Sequence, residues 1–408
     1  MDRPTMQAYQ TRYRDHLLKD CLPFWIHHGQ DHAHGGIYNC LNRYGDIYST
    51  DKSVWIQGRC AWLFSFLCNE YGANEQWLGI AKSCLDFLNS HCIDPTDGRM
   101  YFCVTEDGKP LRKRRYFFSE SFYLIANAEY ALATGEASAL GAAKRYYDLI
   151  IGIYHDRSRD PYMVTPKYIL ETRHLKSLSE PMILLNVTSV MRKCDPQNTA
   201  KYDGISRELT AEIMNHFYRD ELGMLVENIT SDNMFLSHTG IGRVINPGHA
   251  METVWFLLQE ATYFHDDRLV HMLGKLFHNI LSVGWDQEYG GLLSFVDAQG
   301  HPPDALEHDM KLWWPQCEAI LASLMLYQTT REAPYWAWFE KLTDYAFDRF
   351  SDPEHGEWFG YLRRDGKPTE PACKGNQYKG PFHLPRMLAI ADKTLQSCLQ
   401  RDSLDDNR

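Results

Sequence analysis

Asp286-Gln-Glu-Tyr-Gly290-Gly291-Leu-Leu293 decides the fold, because the same arrangement returns along the whole chain. An aspartate, a short gap, a glycine and then an aliphatic or aromatic run also appear at Asp31 (Gly35-Gly36-Ile-Tyr38), Asp94 (Gly98, then Met100 to Val104) and Asp220 (Gly223-Met-Leu-Val226). A further copy begins at Asp352 (Gly356, then Trp358-Phe-Gly-Tyr-Leu362), and a degenerate one at Asp156. Successive copies start 62–66 residues apart. A near-constant period of this size marks a repeat architecture, in which no unit buries its apolar face alone.

Each run is bounded by glycine and an Asp-Gly-type turn such as Asp107-Gly108 or Asp365-Gly366, which predicts a short β-hairpin. Between hairpins lie paired helical stretches, at residues 57–71 with 74–92, 120–133 with 138–154, and 249–264 with 267–281. The first of each pair is apolar nearly all round, as a buried helix is, and the second is amphipathic. Six inner helices ringed by six outer ones predict an all-α fold, an (α/α)6 barrel with short β-hairpins at the barrel mouth. An N-terminal helix over residues 6–25 is expected to close the ring against 383–399. No Pro- or Ser-rich linker interrupts the pattern. Residues 1–400 are therefore read as a single catalytic domain and 401–408 as a disordered tail.

The 408 residues, 44% hydrophobic and 13% aromatic, supply an ample core. A formal net charge of −11 argues against a nucleic-acid partner, which calls for clustered Lys and Arg. The polar, mixed-charge start predicts no signal peptide, and no apolar run approaches a membrane span, so the expected location is cytoplasmic. The 11 cysteines include no C-x-x-C pair and read as buried reduced thiols.

The repeat also locates a site. Each inner helix begins just after a hairpin segment, so six helix N-termini surround one mouth. The residues there include Arg59, Glu120, Glu180, His249 with Glu252, Lys311 with Trp313, Trp314 and Glu318, and Lys379 with His383. A helix N-terminus disfavours an imidazolium, so a histidine there stays available as a base near neutral pH. Two such bases, His249 and His383, on opposite faces of a sugar can remove a proton beside a carbonyl and return one to the other side, inverting the centre. Arg59 can stabilise the enediolate between the two steps. Glu252, one helical turn after His249, can orient it or bind hydroxyls. Glu120, Trp313, Trp314, Glu318 and Lys379 are expected to bind the substrate.

Two other clusters compete for attention. His27, His28, His32 and His34 invite a metal, but they lack acidic partners at ligand spacing, and no metal site is expected. Arg112-Lys-Arg-Arg115 reads as a solvated or salt-bridged strand rather than an anion site.

Trp55-Ile-Gln-Gly-Arg59, Phe118-Ser-Glu120-Ser-Phe-Tyr123, Asn246-Pro-Gly-His249-Ala-Met-Glu252, Lys311-Leu-Trp-Trp-Pro-Gln-Cys-Glu318 and Lys379-Gly-Pro-Phe-His383-Leu-Pro-Arg386 together resemble the N-acylglucosamine 2-epimerase family over residues 9–388. The resemblance implies an (α/α)6 barrel, a homodimer, and interconversion of N-acetylglucosamine and N-acetylmannosamine by deprotonation and reprotonation of the ring-opened sugar. It places two catalytic histidines on His249 and His383, the arginine on Arg59 and the glutamate on Glu252. No cofactor is expected to be required. Some members are stimulated by ATP without hydrolysing it, although residues 156–178 carry no Gly-rich phosphate loop. Cellobiose 2-epimerases and mannose isomerase are relatives sharing the enediolate, and stand as alternatives. A glycoside hydrolase using Glu252 and Glu318 as its two carboxylates is a more distant one, and a binding protein without catalysis another.

Overall fold

The computed structural model describes residues 2–113, 116–160, 169 and 171–405. Helix α1 (Arg3–His16) passes through a π-helical turn at Leu17–Cys21 into α2 (Leu22–His28). The single helix expected over 6–25 is thus interrupted. The wider turn precedes Pro23, which brings no backbone N–H. Then come α3 (Val54–Tyr71), α4 (Glu75–His91), α5 (Phe118–Thr134), α6 (Ala137–His155), α7 (Ser179–Cys194), α8 (Thr199–Glu212), the single turn α9 (Gly240–Arg243), α10 (Pro247–Phe264), α11 (Asp267–Gly284), α12 (Trp313–Thr330), α13 (Ala333–Phe350) and α14 (His383–Asp405). Helix α14 runs past Arg401 into the stretch read from sequence as a disordered tail.

Helices α3, α5, α7, α10, α12 and α14 pack each on the next and close on α3, while α4, α6, α8, α11, α13 and α1 back them one to one. This is the (α/α)6 barrel the repeat predicts. Burial follows position. Every residue of α3 from Val54 to Cys68 is buried, whereas α11 buries one stripe, including Leu269, Leu273, Leu276, Phe277 and Ile280. Each such side chain contributes about 1.5–3 kcal/mol, and a stripe is all an outer helix needs. No described helix is long and apolar enough to cross a membrane.

Short antiparallel pairs stitch the mouth. The strand entering an inner helix bonds to the hairpin of the next repeat. Lys52–Ser53 pairs with Cys103–Val104, Val244–Ile245 with Val296–Asp297, and Lys311–Leu312 with Tyr361–Leu362. Leu175–Ser177 pairs with Asn228–Thr230, and a bridge between Asn42 and Cys373 joins the first repeat to the last.

The repeat aspartates hold these hairpins. One oxygen of Asp31 accepts from the Ala33 and His34 amides, and Asp94, Asp286 and Asp352 do likewise in their own turns. The other oxygen receives a lysine from the chain that follows: Lys52 on Asp31 at 2.7 Å, Lys311 on Asp286 at 2.8 Å, Lys374 on Asp352 at 3.1 Å, and Lys113 on Asp94. Burial works against the Asp31 charge, but the hydrogen bonds from Lys52 and the turn amides hold its carboxyl down at about 2. Lys311, expected among the polar groups facing the mouth, is one of these ties.

Candidate active site

His249 stands in the first turn of α10, where the Asn246 side chain caps its amide at 3.1 Å and Pro247 occupies the opening turn. This is a helix start written in sequence. Gly248 leaves room for Trp314, whose ring a Cβ there would meet at 2.4 Å. His249 Nδ1 lies 3.0 and 3.1 Å from the two oxygens of Glu227. His383 opens α14, and its Nδ1 lies 2.7 Å from Glu318 Oε1. Glu318 Oε2 accepts from Trp255 Nε1 at 2.8 Å. Arg386, one turn beyond His383, donates through Nη2 to Glu318 at 2.7 Å and to Glu252 at 2.8 Å. Because these carboxylates act as acceptors, each histidine is assigned a hydrogen on Nδ1, which leaves Nε2 as the ring nitrogen able to exchange a proton with substrate. The indole of Trp314 packs against both imidazoles, 5.3 Å from His249 and 5.7 Å from His383.

The two histidines differ in charge preference. Burial lowers the affinity of His249 for a proton, but the charge and hydrogen bond of Glu227, with Glu252 and Glu318 behind them, outweigh it and raise its pKa above the ordinary imidazole value. For His383, burial and then the cations Arg386 and Arg59 act together and push the pKa well below that value. Arg59 is packed among rings, with its guanidinium 4.2 Å from Phe122 and 4.8 Å from Phe382. It donates to the Tyr378 carbonyl at 3.2 Å, while its Nε has no partner among the described residues. Burial pulls its pKa to about 9, so it remains a cation at neutral pH with a hydrogen-bonding edge still free.

His249, His383, Arg59, Glu252, Glu318 and Trp314 therefore come together. Three residues expected to bind substrate are engaged otherwise. Glu120 accepts from Arg99 Nε at 2.7 Å and from the Met100 amide at 2.9 Å. That matches Gln57 and Gln316, which clamp the backbones of Ile37 and Leu292 in their own repeats. Lys379 is bound by Glu357 at 2.7 Å and by the Lys374 carbonyl at 2.8 Å. Trp313 is 2% exposed and packs on Tyr361. Glu252 bonds to Arg386 and not to His249. Glu180 pairs with Arg157.

Sequence reasoning missed Glu227, Arg386 and Trp255. Arg386 carried a usable signal, the same one-turn spacing from a histidine that drew attention to Glu252. Glu227 carried none, since it lies 22 residues from His249 on a hairpin and no helical register joins them.

Among the described residues, Glu252, Glu318 and His383 form the one cluster of three metal-type donors. Arg386 already places its guanidinium against both carboxylates, so the donor set suits that resident cation rather than a metal ion. His27 and His28 pack edge to face on α2, and His34 pairs with Asp31. Arg114 and Arg115 of the basic run lie outside the described residues.

Residues 36–379 match the family described as N-acylglucosamine 2-epimerase (GlcNAc 2-epimerase). The chain is 36% identical to the N-acylglucosamine 2-epimerase of Rattus norvegicus over 407 residues, 98% of this chain and 95% of that protein. It is 35% identical to that of Homo sapiens, over 98% of this chain and 93% of that one. Among solved structures, the cellobiose 2-epimerase of Spirochaeta thermophila shares the fold at a TM-score of 0.83 and 22% identity, covering 97% of this chain and 99% of that one. A D-mannose isomerase does so at 0.80 and 16%, covering 95% and 98%. Site geometry and sequence thus agree: the chain belongs to the N-acylglucosamine 2-epimerase family.

Proposed function

We propose that the protein interconverts N-acetylglucosamine and N-acetylmannosamine by moving the C2 proton of the ring-opened sugar between two histidines. The observation that carries this reading is the pairing of His249 and His383 about Trp314. Each has its Nδ1 fixed on a carboxylate and its Nε2 free. One base takes the C2 proton and the electron pair moves onto the carbonyl oxygen, where Arg59 offers its unengaged edge. The other histidine then protonates C2 from the opposite face. A two-carboxylate hydrolase needs one carboxyl protonated as general acid, and both Glu252 and Glu318 are held as acceptors by Arg386. No metal or nucleotide enters the reading.

The protein is further read as a cytoplasmic homodimer. All 11 cysteines are unpaired, which suits a reducing compartment, and light scattering should return twice the 47.5 kDa chain mass. The activity is tested by incubating the protein with N-acetylmannosamine, N-acetylglucosamine, mannose and cellobiose in deuterated water and following C2 by NMR. Interconversion of the two N-acetyl sugars with deuterium at C2 is expected, also in the presence of EDTA. Turnover of mannose or cellobiose in their place would overturn the substrate assignment.

A further inference from the structure

The two histidines make the same kind of contact, a ring Nδ1 on a glutamate, yet the two glutamates are not equivalent. The charge of Glu318 is shared by the Arg386 guanidinium and the Trp255 indole N–H. The side chain of Glu227 has, besides His249, the neutral hydroxyl of Ser177 at 3.3 Å. Its backbone is pinned on both sides: the Leu178 amide donates to its carbonyl at 3.0 Å, and its own amide donates to Val244 at 3.1 Å. The carboxylate is thereby fixed between the strands that enter α7 and α10, where it cannot follow a moving ring.

We propose that Glu227 is a positioning residue that holds His249 as the imidazolium, so that the resting enzyme keeps its exchangeable proton on His249 and is set to take the C2 proton of one epimer with His383, the reverse direction running through the opposite arrangement. This rests on the two-histidine reading above and adds a polarity to it. In the forward step the C2–H bond breaks and its proton goes to His383 Nε2. The electron pair forms the C1–C2 double bond as the carbonyl pair moves onto O1. In the second step an N–H bond of His249 breaks, C2 takes that proton on its opposite face, and the C1 carbonyl re-forms. One proton has then crossed from His249 to His383, and water must return the pair to its resting arrangement before the next turnover. The charged groups facing the pair agree with this direction. His249 meets Glu227 from the hairpin, Glu252 from its own helix and Glu318 from α12, with His383 opposite. His383 meets Arg386 from its own helix and Arg59 from α3, with Glu252 and Glu318 as counter-charges.

The test is Glu227→Gln, which keeps the shape and removes the charge, with Glu227→Asp as the charge-retaining control. The epimerisation rate of the unsubstituted protein should fall on the alkaline side as His249 loses its proton. In Glu227→Gln that limb should move to lower pH by at least one unit, equally in both directions of reaction, with a fall in kcat on the order of 10-fold or more. Glu227→Asp should restore the position of the limb. A merely structural role would lower the yield of folded enzyme or kcat and leave the limb in place, and that result overturns the proposal. Should Glu227→Gln fail to fold, imidazole NMR titration of the unsubstituted protein decides. His249 must titrate above His383, and the reverse order overturns the proposal. His383→Asn run alongside separates the two levels of inference. If it epimerises normally, the two-histidine reading itself has failed. If it is inactive while the Glu227→Gln limb stays put, only the role of Glu227 has.

Discussion

The hairpins and the mouth of this barrel are built from the same charged residue types, and they use them differently. In the hairpins the lysine charges are closed. Lys52 donates to Asp31, to the Gly35 carbonyl and to the Glu106 carbonyl, and is wholly buried. Lys311 is closed by Asp286 and the Arg364 carbonyl in the same manner. At the mouth the groups are closed on one side only. The histidines have their Nδ1 engaged and Nε2 free, and Arg59 has one carbonyl partner and an unpartnered Nε. A buried polar group without a partner is costly, so the arrangement persists where something else is to complete it. Burial and charge alone do not distinguish these lysines from the groups at the mouth; the remaining hydrogen-bonding capacity does.

The largest effect should come where the two regions resemble each other most. Arg386 is held by carboxylates as the hairpin lysines are, yet it sits inside the site. Arg386→Met leaves two buried carboxylates without their shared cation. It should cost about 3–5 kcal/mol of stability and also remove most of the activity, read by denaturant titration and by turnover on the same sample. Lys52→Met should cost a similar or slightly smaller amount of stability while the folded enzyme keeps turnover within about two-fold, a negligible barrier change. An active-site loss in Lys52→Met would erase the distinction between hairpin and mouth. Arg59→Ala should do the opposite. Turnover should fall about 10²-fold in both directions together, because the enediolate is common to both, and the melting temperature should change little. The smallest effect is in acid. Asp31 is depressed to about 2, so its pairing stabilises the fold above the ordinary carboxylate range of about 4 and loses that contribution as pH falls toward 2. Lys52→Met removes the main cause of the depression and should shift acid unfolding to higher pH, measured by circular dichroism.

Much of this was legible in the sequence, and for a physical reason. The Asp-Gly hairpins and the buried-then-amphipathic helix pairs are local patterns, and their period fixed how many times they recur. Asn246 and Pro247 mark a helix start in the sequence itself, and with it the place of His249 at the mouth. What could not be read was partnership across repeats. Glu120, Lys311 and Lys379 share position and chemistry with true mouth residues. Only the fold shows that Arg99, Asp286 and Glu357 have already engaged them. Glu227 was invisible for the converse reason, since its contact with His249 arises from strand pairing between residues 175–177 and 228–230. Helix α14 continued where composition suggested an end, and the first helix was split where composition suggested continuity.

The account stands or falls on two bases acting on opposite faces of one carbon. It is tested most directly by following deuterium uptake at C2, separately for N-acetylglucosamine and N-acetylmannosamine, in His249→Asn and His383→Asn. Net epimerisation should fall on the order of 10²-fold or more in each variant. Each variant should retain exchange with one epimer only, and the retained epimer should be opposite in the two. Epimerisation continuing at the normal rate in either variant would contradict the account.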